Sequence, residues 1–183
     1  MKGILGRLMV ALAALLAVSA CSKEMLAPRA EYDAEWAAAY FLGTDEPGSV
    51  GYYRLSMAQG RTDEDLALVS SGAVLNLQLN TPVAEGLGLP DGTYRGSTGS
   101  ETAFTYNYGE MQPDNSIAGS YVGIRPDVSK PMQYYPVGDG EASIVFGKDG
   151  GYEIHVRVRS ESRTFVFKYG GPVETYDCTE PGL

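Results

Sequence analysis

Apolar side chains recur at every second position through the last third of this chain, and that alternation constrains its fold more than any other feature. Ala142, Ile144 and Phe146 share one face; so do Tyr152, Ile154, Val156 and Val158, and then Phe165, Phe167 and Tyr169. A period of two is that of a β-strand with one buried face. The turn signals "GKDGG" (147–151) and "SESR" (160–163) divide the run into three strands. Loop length then sets the register. The five-residue loop pairs Phe146 with Tyr152, hence Ile144 with Ile154 and Ala142 with Val156. The four-residue loop pairs Arg159 with Thr164, hence Val158 with Phe165, Val156 with Phe167 and Ile154 with Tyr169. A slip of one residue would expose a whole apolar set, so this register is strongly specified.

The same period appears upstream. In "GAVLNLQLNTP", Ala73, Leu75, Leu77 and Leu79 alternate with Val74, Asn76, Gln78 and Asn80. In "ETAFTYNYGE", Phe104, Tyr106 and Tyr108 alternate with Thr105 and Asn107. Further short strands fit at 52–59, 92–97 and 121–125, with turns at "LPDG" and "RPDVSKP". With 23 Gly and 10 Pro punctuating it, the chain reads as all-β: a single antiparallel β-sandwich or an up-and-down, partly closed barrel, ending in the three-strand meander. One segment breaks the pattern. In "EYDAEWAAA" (31–39), with Tyr32, Trp36 and Tyr40 spaced by four, the preferred reading is a short helix or turn leading into a strand at 39–43; direct entry into a strand is the alternative. No internal repeat is evident.

The amino terminus carries a different message. Met1, Lys2 and Arg7 give a positive start, and residues 8–20 are apolar and end in small side chains. That is the layout of a helical signal peptide. It is too short for a spanning helix, which needs about 20 apolar residues. Its last residues, Val18-Ser19-Ala20-Cys21, resemble the lipobox of bacterial lipoproteins: an aliphatic residue, two small ones, then cysteine. The resemblance implies cleavage after Ala20, acylation of Cys21 on sulfur and acylation of the new amino terminus. Each buried methylene contributes about 0.8 kcal/mol, so one chain holds marginally and two or three hold durably. The expected organisation is a cleaved signal at 1–20, a lipidated terminus and tether at 21–30, and one extracytoplasmic β-domain at 31–183. The lipid on Cys21 makes the membrane a partner and places the protein in the cell envelope, at the outer membrane.

Loss of the first 20 residues removes two of the 14 basic residues and none of the 23 acids. The resulting 12 against 23 argues against nucleic acid as a partner. Of two cysteines, Cys21 is committed to lipid, so Cys178 has no partner within the chain and no disulfide framework is expected. One free cysteine and one histidine cannot close a structural zinc site, and no cofactor is called for.

Catalytic signals are weak. His155, the sole histidine, falls on the polar face beside Glu153, Arg157 and Arg159 and opposite Lys168. Ser143 and Glu153 are the conceivable triad partners, but no Gly-x-Ser-x-Gly elbow exists, and an exposed strand histidine is the reading adopted. Asp63, Glu64 and Asp65 in "RTDEDLA" miss the EF-hand spacing and read as a solvated loop. "GSTGS" (96–100) lacks the lysine of a phosphate loop and reads as a hairpin turn. Aromatic content is more suggestive, with 13 Tyr against five Phe and the adjacent pairs Tyr52-Tyr53 and Tyr134-Tyr135. Strand neighbours point to opposite faces, so one ring of each pair belongs outside or in a loop. Tyr134 and Tyr135, framed by Pro131 and Pro136, are the candidate binding residues, placed in a loop because the prolines exclude a regular central strand.

The stretch 88–110, with Leu89-Pro90-x-Gly92-x-Tyr94, and a closing meander that ends at Gly170-Gly171-Pro172 resemble the small β-rich envelope lipoproteins of Bacteroidetes. That resemblance implies an envelope lipoprotein and brings no catalytic residues. Only Glu24 follows Ser22 and Lys23, a departure from the acidic run of surface-exported members, so the periplasmic and the exposed face both stay open. The function expected is binding of a glycan or of an envelope protein partner. A structural or assembly component contacting others through sheet edges is the alternative, and a glycosidase-like or other hydrolase comes third.

Overall fold

The structure, a computed structural model, describes residues 28–45, 48–63, 67–99, 102–161 and 163–179. The expected signal peptide, Cys21 and the expected tether as far as residue 27 lie outside the described residues. Among the described residues all regular structure is β. The strands are β1 (Arg29–Asp33), β2 (Trp36–Thr44), β3 (Val50–Gln59), β4 (Gly72–Pro82), β5 (Gly92–Ser97), β6 (Thr105–Asn107), β7 (Glu110–Met111), β8 (Ile117–Ala118), β9 (Tyr121–Arg125), β10 (Gln133–Pro136), β11 (Gly140–Phe146), β12 (Tyr152–Ser160), β13 (Arg163–Gly171) and β14 (Glu174–Asp177). β1 takes up Arg29 and Ala30, the last two residues of the expected tether.

The meander forms in the expected register. Ile144 pairs with Ile154 and Ala142 with Val156, while Val156 also faces Phe167 and Val158 faces Phe165. Both turns close as expected: Gly147 N–H donates to Gly151 O at 2.7 Å, and Ser160 pairs with Arg163. Tyr169 is only half-buried, and Phe146 falls short of burial altogether. It lies on the inner side but at the rim, 52% exposed, with its ring 4.9 Å from that of Tyr152.

The sheet is mixed, which corrects the expectation of an antiparallel fold. Its order is β1-β13-β12-β11-β5-β6-β4-β3-β2-β14, with β9 on β4 and β10 on β9. The pairs β1/β13, β2/β14 and β5/β6 are parallel. The first two have one cause. β1 and β2 are consecutive, and at the bend between them Ala34 N–H donates to Lys168 O while Glu35 N–H donates to Ala58 O. β13 likewise runs on into β14. Asp33 faces Lys168, and further along Ala38 faces Glu174, so the register advances by one extra residue on the C-terminal side. The first and last stretches of the domain therefore run side by side, and the sheet curls until its two ends share a chain. The result is one curled, barrel-like sheet.

Two local expectations also give way. Residues 31–33 and 36–39 are strand, with a bend at Ala34 and Glu35, and none is helix. A spacing of four fits a period of two as well as one of 3.6, and pairing on both edges, with β3 and β14, overrides the helical propensity of the alanines. Ala37 and Ala39 face the core, and Trp36 and Tyr40 face out. The "GSTGS" run does not make a hairpin: β5 and β6 lie parallel, with Arg95 facing Thr105 and Ser97 facing Asn107. The reversal is completed by Phe104 in a left-handed conformation, φ 61°. Its ring lies where a Cβ on Gly92 would come within 2.5 Å, so this position requires glycine.

The interior is filled by Tyr53, Leu55, Leu77, Tyr94, Tyr106, Phe165 and Phe167, all nearly or fully buried. Buried phenols need acceptors, and loops supply them. Tyr94 donates to Pro90 O (2.8 Å), Tyr106 to Gly138 O (2.8 Å) and Tyr152 to Leu89 O (3.2 Å). A smaller cluster of Ala58, Leu68 and Val74, with Trp36 and Met132, covers part of the outer face and accounts for Val74 among polar neighbours.

Candidate binding face

Leu75, Leu77 and Leu79 of β4 point into the core, so Asn76, Gln78 and Asn80 must point out. Successive members of this amide ladder stand roughly 6.7 Å apart. Register with β3 sets Ser56 beside Asn76, Arg54 beside Gln78 and Tyr52 beside Asn80. The next strands extend the rows: Tyr40 of β2 flanks Arg54, and Tyr176 of β14 flanks Tyr40. On the opposite side Tyr121 flanks Asn76 and Thr105 flanks Asn80.

The rings on this face lie close together. Tyr40 and Tyr176 stack at 5.2 Å with planes 17° apart, and Arg54 Cζ lies 4.7 Å from the centre of the Tyr40 ring. Tyr121 meets Tyr134 edge-on at 5.7 Å. Burial pushes the Tyr40 and Tyr121 hydroxyls up from the ordinary phenol range, against the lowering effect of Arg54 on both. The Tyr176 hydroxyl is also raised, mainly through its hydrogen bond to Glu174.

Two polar atoms of the ladder lack partners. Ser56 Oγ donates to Asn76 Oδ1 at 2.6 Å, which leaves Asn76 Nδ2 with none. Asn80 Nδ2 donates to Thr105 Oγ1 and Asn107 Oδ1, both at 2.9 Å, which leaves Asn80 Oδ1 with none. These residues are 3% and 0% exposed, so each orphan atom carries a penalty of about 1–3 kcal/mol until something satisfies it. A groove of about 260 Å³ runs beside Asn80, lined also by Leu42, Tyr52, Tyr53, Gln78 and Asn107. A second, of about 290 Å³, lies against Tyr121 and Tyr134 under Asn115 and Ile117. Fixed amide donors and acceptors among flat phenol rings suit a ligand rich in hydroxyls, because the rings cover C–H faces while the amides orient oxygens.

Tyr134 and Tyr135 do not lie in a loop. They belong to β10, which pairs with β9 and so is a strand after all. β10 has only that one neighbour, and an edge strand tolerates Pro136 because its outer N–H position needs no ladder partner. The two rings diverge. Tyr134 is 45% exposed on the binding face. Tyr135 turns to the core, 5.3 Å from the Phe165 ring, with Arg163 Nη1 donating to its hydroxyl at 2.9 Å. Tyr52 and Tyr53 divide likewise in burial, Tyr52 half-buried and Tyr53 buried, although both border the same groove.

His155 stands on the outer face of the meander, opposite Ser143 and Lys168. It lines an open groove of about 560 Å³ with Asp139, Glu141, Ser143, Arg157 and Arg159. Among the described residues no hydrogen bond joins Ser143 to His155, and Glu153 is one full side-chain repeat along the strand. Asp63 Oδ1 accepts from Ala67 N–H within the acidic loop, whose Glu64 and Asp65 lie outside the described residues. Among the described residues no group of three or more His, Cys, Asp or Glu could hold a metal ion. The Cys178 thiol is free and exposed at the end of β14. No helix of the described residues is long and apolar enough to cross a membrane.

Tyr40, Arg54, Asn76, Gln78, Asn80, Tyr121 and Tyr176 were not legible as site residues. One signal was available: two asparagines and a glutamine within a single strand, where such residues are disfavoured unless they have a task. No family model, curated protein or solved structure matches this chain.

Proposed function

We propose that this chain is a lipid-anchored protein of the cell envelope, held at the outer membrane through Cys21, whose β-domain binds a glycan on the outer face of β2, β3, β4 and β9. The anchoring is supported by the Val18-Ser19-Ala20-Cys21 run after a short positive start. It is also supported by distance: from Cys21 to the start of β1 at Arg29 the chain can span at most about 28 Å, enough to lift the domain just clear of the headgroups. The proposal takes the curled sheet as a partly closed barrel, sealed where the first and last stretches run parallel.

The observation that carries the binding reading is the row of outward-facing amides on β4 with Arg54 beside it, walled by tyrosine rings. Tyr and Arg also serve at protein interfaces; what favours a sugar is the row of amides between the flat rings, which can orient hydroxyls while the rings cover C–H faces. The test is binding of the full-length protein, in detergent, to an array of oligosaccharides. Gln78→Ala and Tyr40→Ala should abolish the binding found for the parent with little change in thermal stability. A parent that binds no oligosaccharide, or variants that bind as the parent does, would refute it. For the anchor, Cys21→Ser should leave the protein unprocessed and without acyl mass.

A further inference from the structure

We infer that the glycan held on this face carries a carboxylate, a sugar acid, and that Arg54 is the group that selects it; the inference rests on the reading of the face as a glycan site. Arg54 stands at the centre of the rows, between Tyr40 and Gln78 and close enough to Tyr121 to perturb its hydroxyl. Its guanidinium lies over the Tyr40 ring, 4.7 Å from the centroid, and the residue is exposed. Three other cations of the domain are paired with acids: Arg29 and Lys168 with Glu31 at 2.8 and 3.4 Å, and Arg95 with Glu141 at 3.5 Å. Arg54 has no carboxylate at ion-pair distance among the described residues, in a chain with 23 acids against 14 bases. The one acid bordering the row, Glu174, is engaged by the Tyr176 hydroxyl on the far side of Tyr40.

A planar fork matches a carboxylate through two parallel hydrogen bonds, which a lone sugar hydroxyl cannot reproduce. The surroundings then fit the rest of the sugar. A pyranose whose carboxylate meets Arg54 lies within reach of the Tyr40 and Tyr121 rings. Its hydroxyls find the amide of Gln78, the ladder member directly beside Arg54. The acidic domain repels such a ligand at long range, but at physiological ionic strength that repulsion is screened beyond roughly 8 Å.

The experiment is a calorimetric titration of the full-length protein in detergent with four probes: an oligogalacturonate, the same oligomer with its carboxylates reduced to alcohols, a sialylated oligosaccharide and its neutral asialo form. At least one acid should bind about tenfold or more tighter than its neutral counterpart, as expected for a charge-assisted pair. Which acid does so separates uronate from sialate sources, and either supports the inference. Arg54→Gln should erase the preference, bringing the acid down to the affinity of its neutral counterpart, and Arg54→Lys should restore only part of it. Equal binding of acid and neutral forms, or a preference that survives Arg54→Gln, overturns the inference and leaves the glycan reading standing. Binding of none of the four by the parent, alongside an oligosaccharide array without hits, overturns both.

Discussion

Val156→Asp puts the two-faced meander to its hardest trial. Val156 is fully buried, flanked in register by Ala142 and Phe167, which are fully buried too. Losing its apolar burial costs about 1.5–3 kcal/mol. A carboxyl in that place resists ionising unpaired, so its pKa rises. If burial raises its pKa by about three units, the cost at neutral pH is roughly 4 kcal/mol more. The sum, about 6 kcal/mol, rivals the whole stability of a domain of this size, about 5–15 kcal/mol. The sign of the pH dependence follows. A carboxyl whose folded pKa lies above its unfolded value of about 3.9 adds no ionisation penalty below that value, and the penalty grows as pH rises toward the folded pKa. His155→Asp, one residue away, faces solvent beside Lys168 and should cost less than about 0.5 kcal/mol. Urea unfolding of both variants and the parent, at about pH 4 and about pH 7, reads the differences directly. Equal losses in the two variants, or a Val156→Asp deficit that does not shrink in acid, would refute the two-faced strand.

Tyr134→Ala should change stability little, whereas Tyr135→Ala removes a ring packed on Phe165 and a hydroxyl bonded to Arg163 and should cost about 1–3 kcal/mol by denaturant titration. On the acid side, Asp45 is held below the usual carboxylate range, first by the Val50 N–H and then by Ser49; Asp114, Asp127 and Asp177 are lowered by Ser116, Ser129 and Thr179. Depressed folded values stabilise above the ordinary carboxylate pKa, so the melting temperature should fall as pH drops below about 4, and less so in Asp45→Asn. On the alkaline side, burial raises the Tyr94 and Tyr106 phenols far above the ordinary value. Their contribution is complete below about pH 10 and is lost as pH rises beyond it, so their tyrosinate absorbance should appear only together with unfolding.

The meander was fully legible because two local features, the period of two and the turn lengths, fix a register without reference to distant chain. Parallel pairing was not legible: nothing near Ala38 announces Glu174 as its neighbour, and strand direction across 136 residues depends on how the whole sheet curls. The Ala-rich run failed for a related reason, since its partners on both edges, more than its own propensity, made it a strand. At β10 the prolines correctly ruled out a central strand, but an edge position satisfies the same restriction. The outer polar face of β4 could be read from Asn76, Gln78 and Asn80. That Tyr40, Tyr121, Tyr134 and Tyr176 would gather round it could not, because they arrive on four separate strands.

The most direct measurement of the central claim is a nuclear magnetic resonance titration of the full-length protein with the tightest-binding oligosaccharide. The side-chain amide signals of Asn76, Gln78 and Asn80 and the Arg54 Nε–H signal should shift together and saturate at one ligand concentration, with the His155 ring unmoved. Shifts centred on His155, Arg157 and Ser143 instead, or none on the amide ladder at saturation, would contradict it.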